Sequence, residues 1–168
     1  MKKYIDFDGV IMDTYLPIFH DYLEKKGKGI YVDDTAHVIN KDWNEVLNNS
    51  LIINNAIEII KELNPRDTSI LTRIHSLENE GVTKIKFLRS AGIKCDIILV
   101  PYQLKKTDIV IARDNILVDD AIFNLDEWAN AGGIPIFFDT YKNNIDGRGV
   151  ENKKYVKTRT LEILKRYE

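Results

Sequence analysis

The chain has one cysteine, Cys95, in 168 residues. That excludes an intramolecular disulfide and a cysteine zinc cluster, makes a reducing compartment the expectation, and leaves Cys95 as a small buried hydrophobe. No apolar run approaches the length of a membrane span, and Asp6 interrupts the start before a signal-type apolar region can form. The expectation is a cytoplasmic protein with no membrane partner. An excess of charge of one sign is also lacking, because 24 Lys and Arg stand against 26 Asp and Glu, for a formal net charge of −2. Without a basic stripe the chain offers no track for polymeric nucleic acid. Repeats and low-complexity segments are absent too. What remains is one domain with a modest insertion, long enough to bury about two thirds of its unfolded surface.

Five short segments read as strands: Tyr4 to Asp6, Ser69 to Thr72, Asp96 to Val100, Asn115 to Val118 and Ile134 to Phe138. Most are dense in Ile, Leu, Val or Phe without polar alternation, the pattern of strands buried on both faces of a parallel sheet. Helical spacing appears between them. Val82, Ile85, Leu88 and Ala91 recur before Gly92, and "AIFNLDEWANAGG" runs from Ala121 into a double glycine. The alternation predicts an α/β fold, a Rossmann-like open parallel sheet.

The first interval breaks this rhythm, since some fifty residues separate strands one and two, far more than one crossover helix needs. "YLPIFHDYLEKKG", "DWNEVLNNS" and "IINNAIEIIKEL" are helical in period, parted by Gly27, Gly29 and the polar Asp33-Asp34-Thr35. The expectation is a small helical cap over residues 15–64, with residues 1–14 and 65–168 forming the core. Gly9 and Gly27 are candidate flexible points. In the tail, a loop at "KNNIDGRG" and a charged helix at "TRTLEILKRYE" are expected.

In an open parallel sheet, ligands bind beyond the carboxyl ends of the strands. Strand one delivers Asp6 and Asp8 there, strand two Thr72 and strand four Asp119 and Asp120, while Lys105 and Lys106 follow strand three. Four carboxylates within a few ångström repel by several kcal/mol per close pair even at an effective dielectric near 20. They call for a cation, and all-oxygen ligation suits Mg²⁺ beside a phosphate. A lysine adds fixed positive charge, a threonine hydroxyl can donate to a phosphoryl oxygen, one aspartate can attack phosphorus, and a second can move the proton.

Asp6-Phe7-Asp8-Gly9-Val10 resembles motif I of the haloacid dehalogenase superfamily, "ILT" ending at Thr72 resembles motif II, and "ILVDD" ending at Asp119-Asp120 resembles motif IV. Order and spacing agree over nearly the whole chain. Within that superfamily, "LVDDAIFNLDEWANAGGIPIFF" and the insertion after motif I are similar to the 5'(3')-deoxyribonucleotidase type. The resemblance implies Asp6 as nucleophile, Asp8 as acid/base, Thr72 as the phosphate-binding hydroxyl, and Asp119 as a Mg²⁺ ligand supported by Asp120, with the Asp8 backbone carbonyl as a further ligand. The motif III lysine is expected at Lys106, with Lys105 next; Lys84 and Lys86 fall in a helix before strand three. The implied activity is a Mg²⁺-dependent phosphomonoesterase acting on a small phosphorylated metabolite, a (deoxy)nucleoside monophosphate first. A phosphomutase, or a phosphoacceptor or binding module without catalysis, are the alternatives.

Other residues have two readings. Arg73 either contacts phosphate or closes its strand with an ion pair. His75 reads as a loop or cap residue, because the aspartates already fill the acid/base roles. Tyr15, Phe19, Tyr22 and Trp43 read first as the insertion's own core and second as a stacking surface for a base. Trp128 reads as packing on the sheet.

Overall fold

The computed structural model describes residues 1–29, 34–140 and 154–167. The loop expected at 142–149, Asp33 and the side chain of Phe19 lie outside the described residues. Among the described residues, six strands form one sheet in the order β3-β2-β1-β4-β5-β6. They are β1 (Lys3–Ile5), β2 (Thr68–Ile74), β3 (Asp96–Pro101), β4 (Ile116–Asp119), β5 (Ile134–Phe138) and β6 (Val156–Thr158), and every neighbouring pair is parallel. This is the open parallel α/β sheet expected from the sequence.

Alternate residues along each strand enter opposite cores, because successive side chains of a strand point to opposite faces. Ile5, Ile70, Ile116, Val118, Ile136 and Phe138 share one apolar cluster, whereas Tyr4, Leu71, Leu117 and Phe137 share the other. Helices cover both faces, so the central strands carry apolar side chains on both sides. Leu88 of α5 (Val82–Ser90) joins the first cluster, and Leu125 and Trp128 of α7 (Ile122–Asn130) join the second.

β6 was not expected. Its sequence, Val-Lys-Thr, is short and largely exposed, as suits an edge strand, so it carries no run of apolar residues to betray it. The charged helix expected after it is a 3₁₀ helix at Leu161–Tyr167, which buries Leu161 and Leu164.

Between β1 and β2 lie α1 (Tyr15–Gly27), α2 (Asp34–Ile39), α3 (Trp43–Asn48) and α4 (Ala56–Glu62). Asp42 starts α3 by accepting from the Asn44 and Glu45 backbone amides, the usual aspartate cap. The chain enters and leaves this region side by side, since Asp13 N donates to Leu51 O at 2.9 Å and Ile53 N to Ile11 O at 2.9 Å. Past this neck, α4 buries Ile57, Ile59 and Ile60 in the same cluster as β1, β4 and β5. Trp43, Val46 and Leu47 of α3 join that cluster too.

No helix among the described residues is long and apolar enough to cross a membrane.

Candidate active site

β1 and β4 are neighbours, yet β2 and β3 extend the sheet on one side and β5 and β6 on the other. The strand order therefore reverses between β1 and β4, and the crevice beyond their carboxyl ends is where such sheets hold ligands. Asp6 follows β1 directly, its amide donating to Val118 O at 3.0 Å. The chain then folds into a tight turn in which the amides of Ile11 and Met12 both donate to Phe7 O. Gly9 makes the turn possible. Its φ of +73° suits glycine, and a Cβ there would stand 2.3 Å from Asp120 Oδ2. Gly9 is thus a close approach of backbone to the Asp120 carboxylate.

Asp6 and Asp8, on either side of Phe7, have different neighbours. Asp6 faces β4, where Lys106 Nζ lies 2.9 Å from its Oδ1 and 2.6 Å from Asp119 Oδ2. Asp119 is fully buried and also accepts from Ala121 N at 2.8 Å and Asn124 Nδ2 at 2.9 Å. Oxygens of Asp6, Asp119 and Asp120 lie within 4.8 Å of one another. Burial pushes the Asp6 carboxyl up to about 7; Lys106 opposes the rise, and Asp119, Asp8 and Asp120 add to it. Burial draws the Lys106 ammonium down, but Asp119 and Asp6 more than offset it, leaving it raised and charged.

Asp8 faces β2 instead. Thr14 Oγ1 donates to its Oδ1 at 2.7 Å, Lys84 Nζ to its Oδ2 at 2.5 Å, and Thr72 Oγ1 makes a longer contact with Oδ2 at 3.5 Å. Asp8 is therefore not one of the three clustered carboxylates, although it was expected among the metal ligands through both side chain and backbone. Its side chain is instead held by Thr14, Lys84 and Thr72.

Lys84, ranked behind Lys106 and Lys105 for its place in the helix before β3, also reaches these groups. It is fully buried and also donates to Glu80 Oε1 at 2.6 Å, while its ammonium lies 4.7 Å from the centre of the Trp43 ring. Glu80 belongs to a single π-helical turn at Leu77–Gly81 that runs into α5. A Glu-x-x-x-Lys pair ahead of Leu88 was the available signal, but such pairs usually lie on helix surfaces. The other lysines divide clearly. Lys106, at the first turn of α6 (Lys106–Ile109), is 1 % exposed and inside the cluster. Lys105 is well exposed, with its ammonium 3.8 Å from Glu127, and Lys86 is exposed.

A cavity of about 410 Å³ opens over these groups. Its floor includes Asp6, Asp8, Gly9 and Asp120; Arg73, His75, Tyr102 and Phe123 stand on the sheet side, and Tyr15, Ile18, Val38 and Trp43 come from α1 to α3. The Arg73 guanidinium lies over the Phe123 ring at 5.2 Å and 3.6 Å from Glu127, the ion pair of its second reading, on the wall of the cavity. His75 stacks on Tyr102 with ring centres 5.0 Å apart. Asn79, in the π-turn, ties the insertion to the core by donating to Lys41 O at 2.5 Å. Of the aromatics, Tyr15 and Trp43 reach the cavity, Trp43 also packs in the core, and Tyr22 pairs edge-on with His37. Trp128 is buried on the sheet as expected.

No protein-family model and no curated protein matches the chain. Solved structures do. A haloacid dehalogenase-like family hydrolase from Streptococcus pneumoniae aligns with a TM-score of 0.60 over 99% of this chain and 98% of its own, at 14% identity. D,D-heptose 1,7-bisphosphate phosphatase from B. bronchiseptica, complexed with magnesium and phosphate, aligns with a TM-score of 0.59 over 100% of both chains at 16% identity. A phosphonoacetaldehyde hydrolase-like protein from Oleispira antarctica gives a TM-score of 0.63 over 99% of this chain and 90% of its own at 12% identity. At these identities the likeness is one of fold: the chain is built on the fold of the haloacid dehalogenase-like hydrolases.

Proposed function

We propose that the protein is a haloacid dehalogenase-superfamily phosphatase that hydrolyses a small phosphomonoester through a phosphorylated Asp6. The observation that carries this reading is the pairing of the two motif I aspartates with different partners. Asp6 sits with Lys106, Asp119 and Asp120, while Asp8 sits 2.7 Å from Thr14 and 2.5 Å from Lys84. Two carboxylates in unlike surroundings are suited to unlike roles, nucleophile and acid/base.

The carboxylates of Asp6, Asp119 and Asp120 offer only hard oxygen donors, which fits Mg²⁺, with the Asp8 carbonyl as a further donor. Bound there, the ion would neutralise their repulsion and draw charge from the phosphoryl oxygens. The chain's own residues account for the rest. A carboxylate oxygen of Asp6 attacks phosphorus, the bond to the ester oxygen breaks, and Asp8 gives its proton to that leaving oxygen. Water then attacks the aspartyl-phosphate, Asp8 takes the proton back, and the bond from phosphorus to Asp6 breaks. In this reading Lys106 keeps positive charge beside Asp6 throughout, and Thr72 and Arg73 donate to phosphoryl oxygens. Lys105, exposed and beside Glu127, would reach only a group at the rim.

The helices of residues 15–48 act in this reading as a cap that excludes bulk water and admits a small molecule. A nucleoside monophosphate is the favoured substrate, since Tyr15, Trp43, His75, Tyr102 and Phe123 surround a cavity of about 410 Å³ with flat apolar faces. Phosphate release from a panel of nucleotides and sugar phosphates, with Mg²⁺ and with chelator, tests both levels. Metal-dependent release from nucleotides foremost is expected. Preference for a sugar phosphate would retain the phosphatase and remove the nucleotidase. No release from any member, or release of equal rate from Asp6→Asn, would overturn the reading.

A further inference from the structure

Lys106 already stands beside the attacking aspartate, 2.9 Å from Asp6 Oδ1. A second buried lysine is costly, because desolvating an ammonium carries a penalty of several kcal/mol unless it is fully paired. Lys84 is fully buried, lies against Asp8 Oδ2 at 2.5 Å, and is held from behind by the almost completely buried Glu80 at 2.6 Å. Longer contacts at 3.4 Å run to Thr72 Oγ1 and Arg73 O. Trp43 and Phe7 close over it with ring centres at 4.7 and 5.2 Å.

Glu80 is itself fixed. It accepts from the His75 backbone amide at 2.8 Å, and it stands on the one π-helical turn of the described residues. π-turns recur where a helix is bent to place a functional side chain. The packing around this turn is tight, since a Cβ on Gly81 would stand 2.8 Å from Leu99 Cδ1. The chain therefore spends a helix irregularity, a buried carboxylate and a buried ammonium on one oxygen of Asp8.

We propose that Lys84, braced by Glu80, is a positioning residue that locks the Asp8 carboxylate for proton transfer to the leaving oxygen. With Oδ2 held by Lys84, Oδ1 is the oxygen left to work on substrate. Its partner is Thr14 Oγ1 at 2.7 Å, a hydroxyl that can donate to a bare carboxylate oxygen or accept from a protonated one. Lys84 so acts through Asp8 and touches neither phosphorus nor the leaving group. This inference rests on the phosphatase reading above.

The test is leaving-group dependence of kcat/KM, which reports on the first phosphoryl transfer. An alkyl phosphate needs its leaving oxygen protonated, whereas p-nitrophenyl phosphate departs as a stable anion. Lys84→Met should lower kcat/KM for the alkyl ester by about 100-fold, within the range that positioned general acids supply, and for p-nitrophenyl phosphate by less than about fivefold. Lys84→Met alone leaves Glu80 buried and unpaired and is prone to misfold. The double variant Lys84→Met/Glu80→Gln removes both charges and keeps an acceptor for the His75 amide, so it supplies the same comparison in a folded protein. Lys86→Met, exposed on the same helix, should change neither rate. An equal loss on both esters, or no loss on either, in whichever variant folds would overturn the proposal and leave the phosphatase reading standing. Absence of hydrolysis of both esters by the wild type would overturn both.

Discussion

Substituting Asp6 with Asn in protein kept metal-free by chelator isolates what burying that carboxylate costs the fold. Its carboxyl is raised from 3.8 to about 7, by desolvation first and by the neighbouring aspartates after it. A raised carboxyl favours its neutral form in the folded state. The stability that goes with protonation is complete below about pH 4, falls as pH rises through the window between 3.8 and about 7, and is lost above it. At 1.36 kcal/mol per unit, the penalty above neutrality is on the order of 4 kcal/mol. Asn occupies the same volume and never pays it. Urea unfolding of both proteins with chelator should show Asp6→Asn about equal to wild type near pH 4 and more stable by up to about 4 kcal/mol near pH 8. Groups outside the cluster titrate alike in both proteins and drop out of the difference, whereas Lys106, Asp119, Asp8 and Asp120 interact with Asp6, so the difference reads the charge of the cluster as a whole. Added Mg²⁺ near pH 8 should then stabilise wild type more than Asp6→Asn, because binding to the folded state alone raises stability by mass action. A difference that stays constant with pH, or a wild type more stable than Asp6→Asn near pH 8, would refute the reasoning.

Two substitutions probe close contacts. Gly9→Ala sets a Cβ 2.3 Å from Asp120 Oδ2 at a φ of +73°, so Asp120 must shift; divalent-ion affinity by calorimetry should fall by about tenfold or more, the scale of disturbed metal-site support, and an unchanged affinity would remove Asp120 from the site. Gly133→Ala sets a Cβ 2.3 Å from the Trp128 ring and 2.8 Å from Ala112 O, far from the carboxylates; it should cost about 3 kcal/mol in urea unfolding, at the upper end for overpacking, and a cost near zero would mean that Trp128 has room to move.

The fold was legible because its strands are buried on both faces, which writes them as apolar runs, and because turns and helix ends carry glycine at Gly92 and Gly132 with φ of +86° and +84°. β6 was not legible, since an exposed edge strand of three residues has no such signature. The candidate site was legible wherever chemistry and topology coincide: Asp6 follows β1 directly and Asp119 ends β4, while Thr72 lies two residues short of the end of β2, which runs on to Ile74 instead of stopping at Thr72 as expected. Lys106 could be placed by its position after β3. Lys84 could not, because it reaches Asp8 from a helix across 76 residues of sequence, through a π-turn that shifts the helix face and that no residue pattern announces. Arg73 illustrates a different limit, for its sequence position is compatible with either an ion pair or the cavity, and it takes part in both.

The central claim is that Asp6 becomes phosphorylated. Asp8→Asn should let the first transfer proceed from a substrate with a good leaving group while slowing hydrolysis of the aspartyl-phosphate, so that the covalent species accumulates. Rapid acid quench of Asp8→Asn with p-nitrophenyl phosphate and Mg²⁺, followed by peptide mass spectrometry, should find the added phosphoryl mass on Asp6 and nowhere else. Burst release of p-nitrophenol with no phosphoryl group on Asp6, or with the group on another residue, would contradict the account.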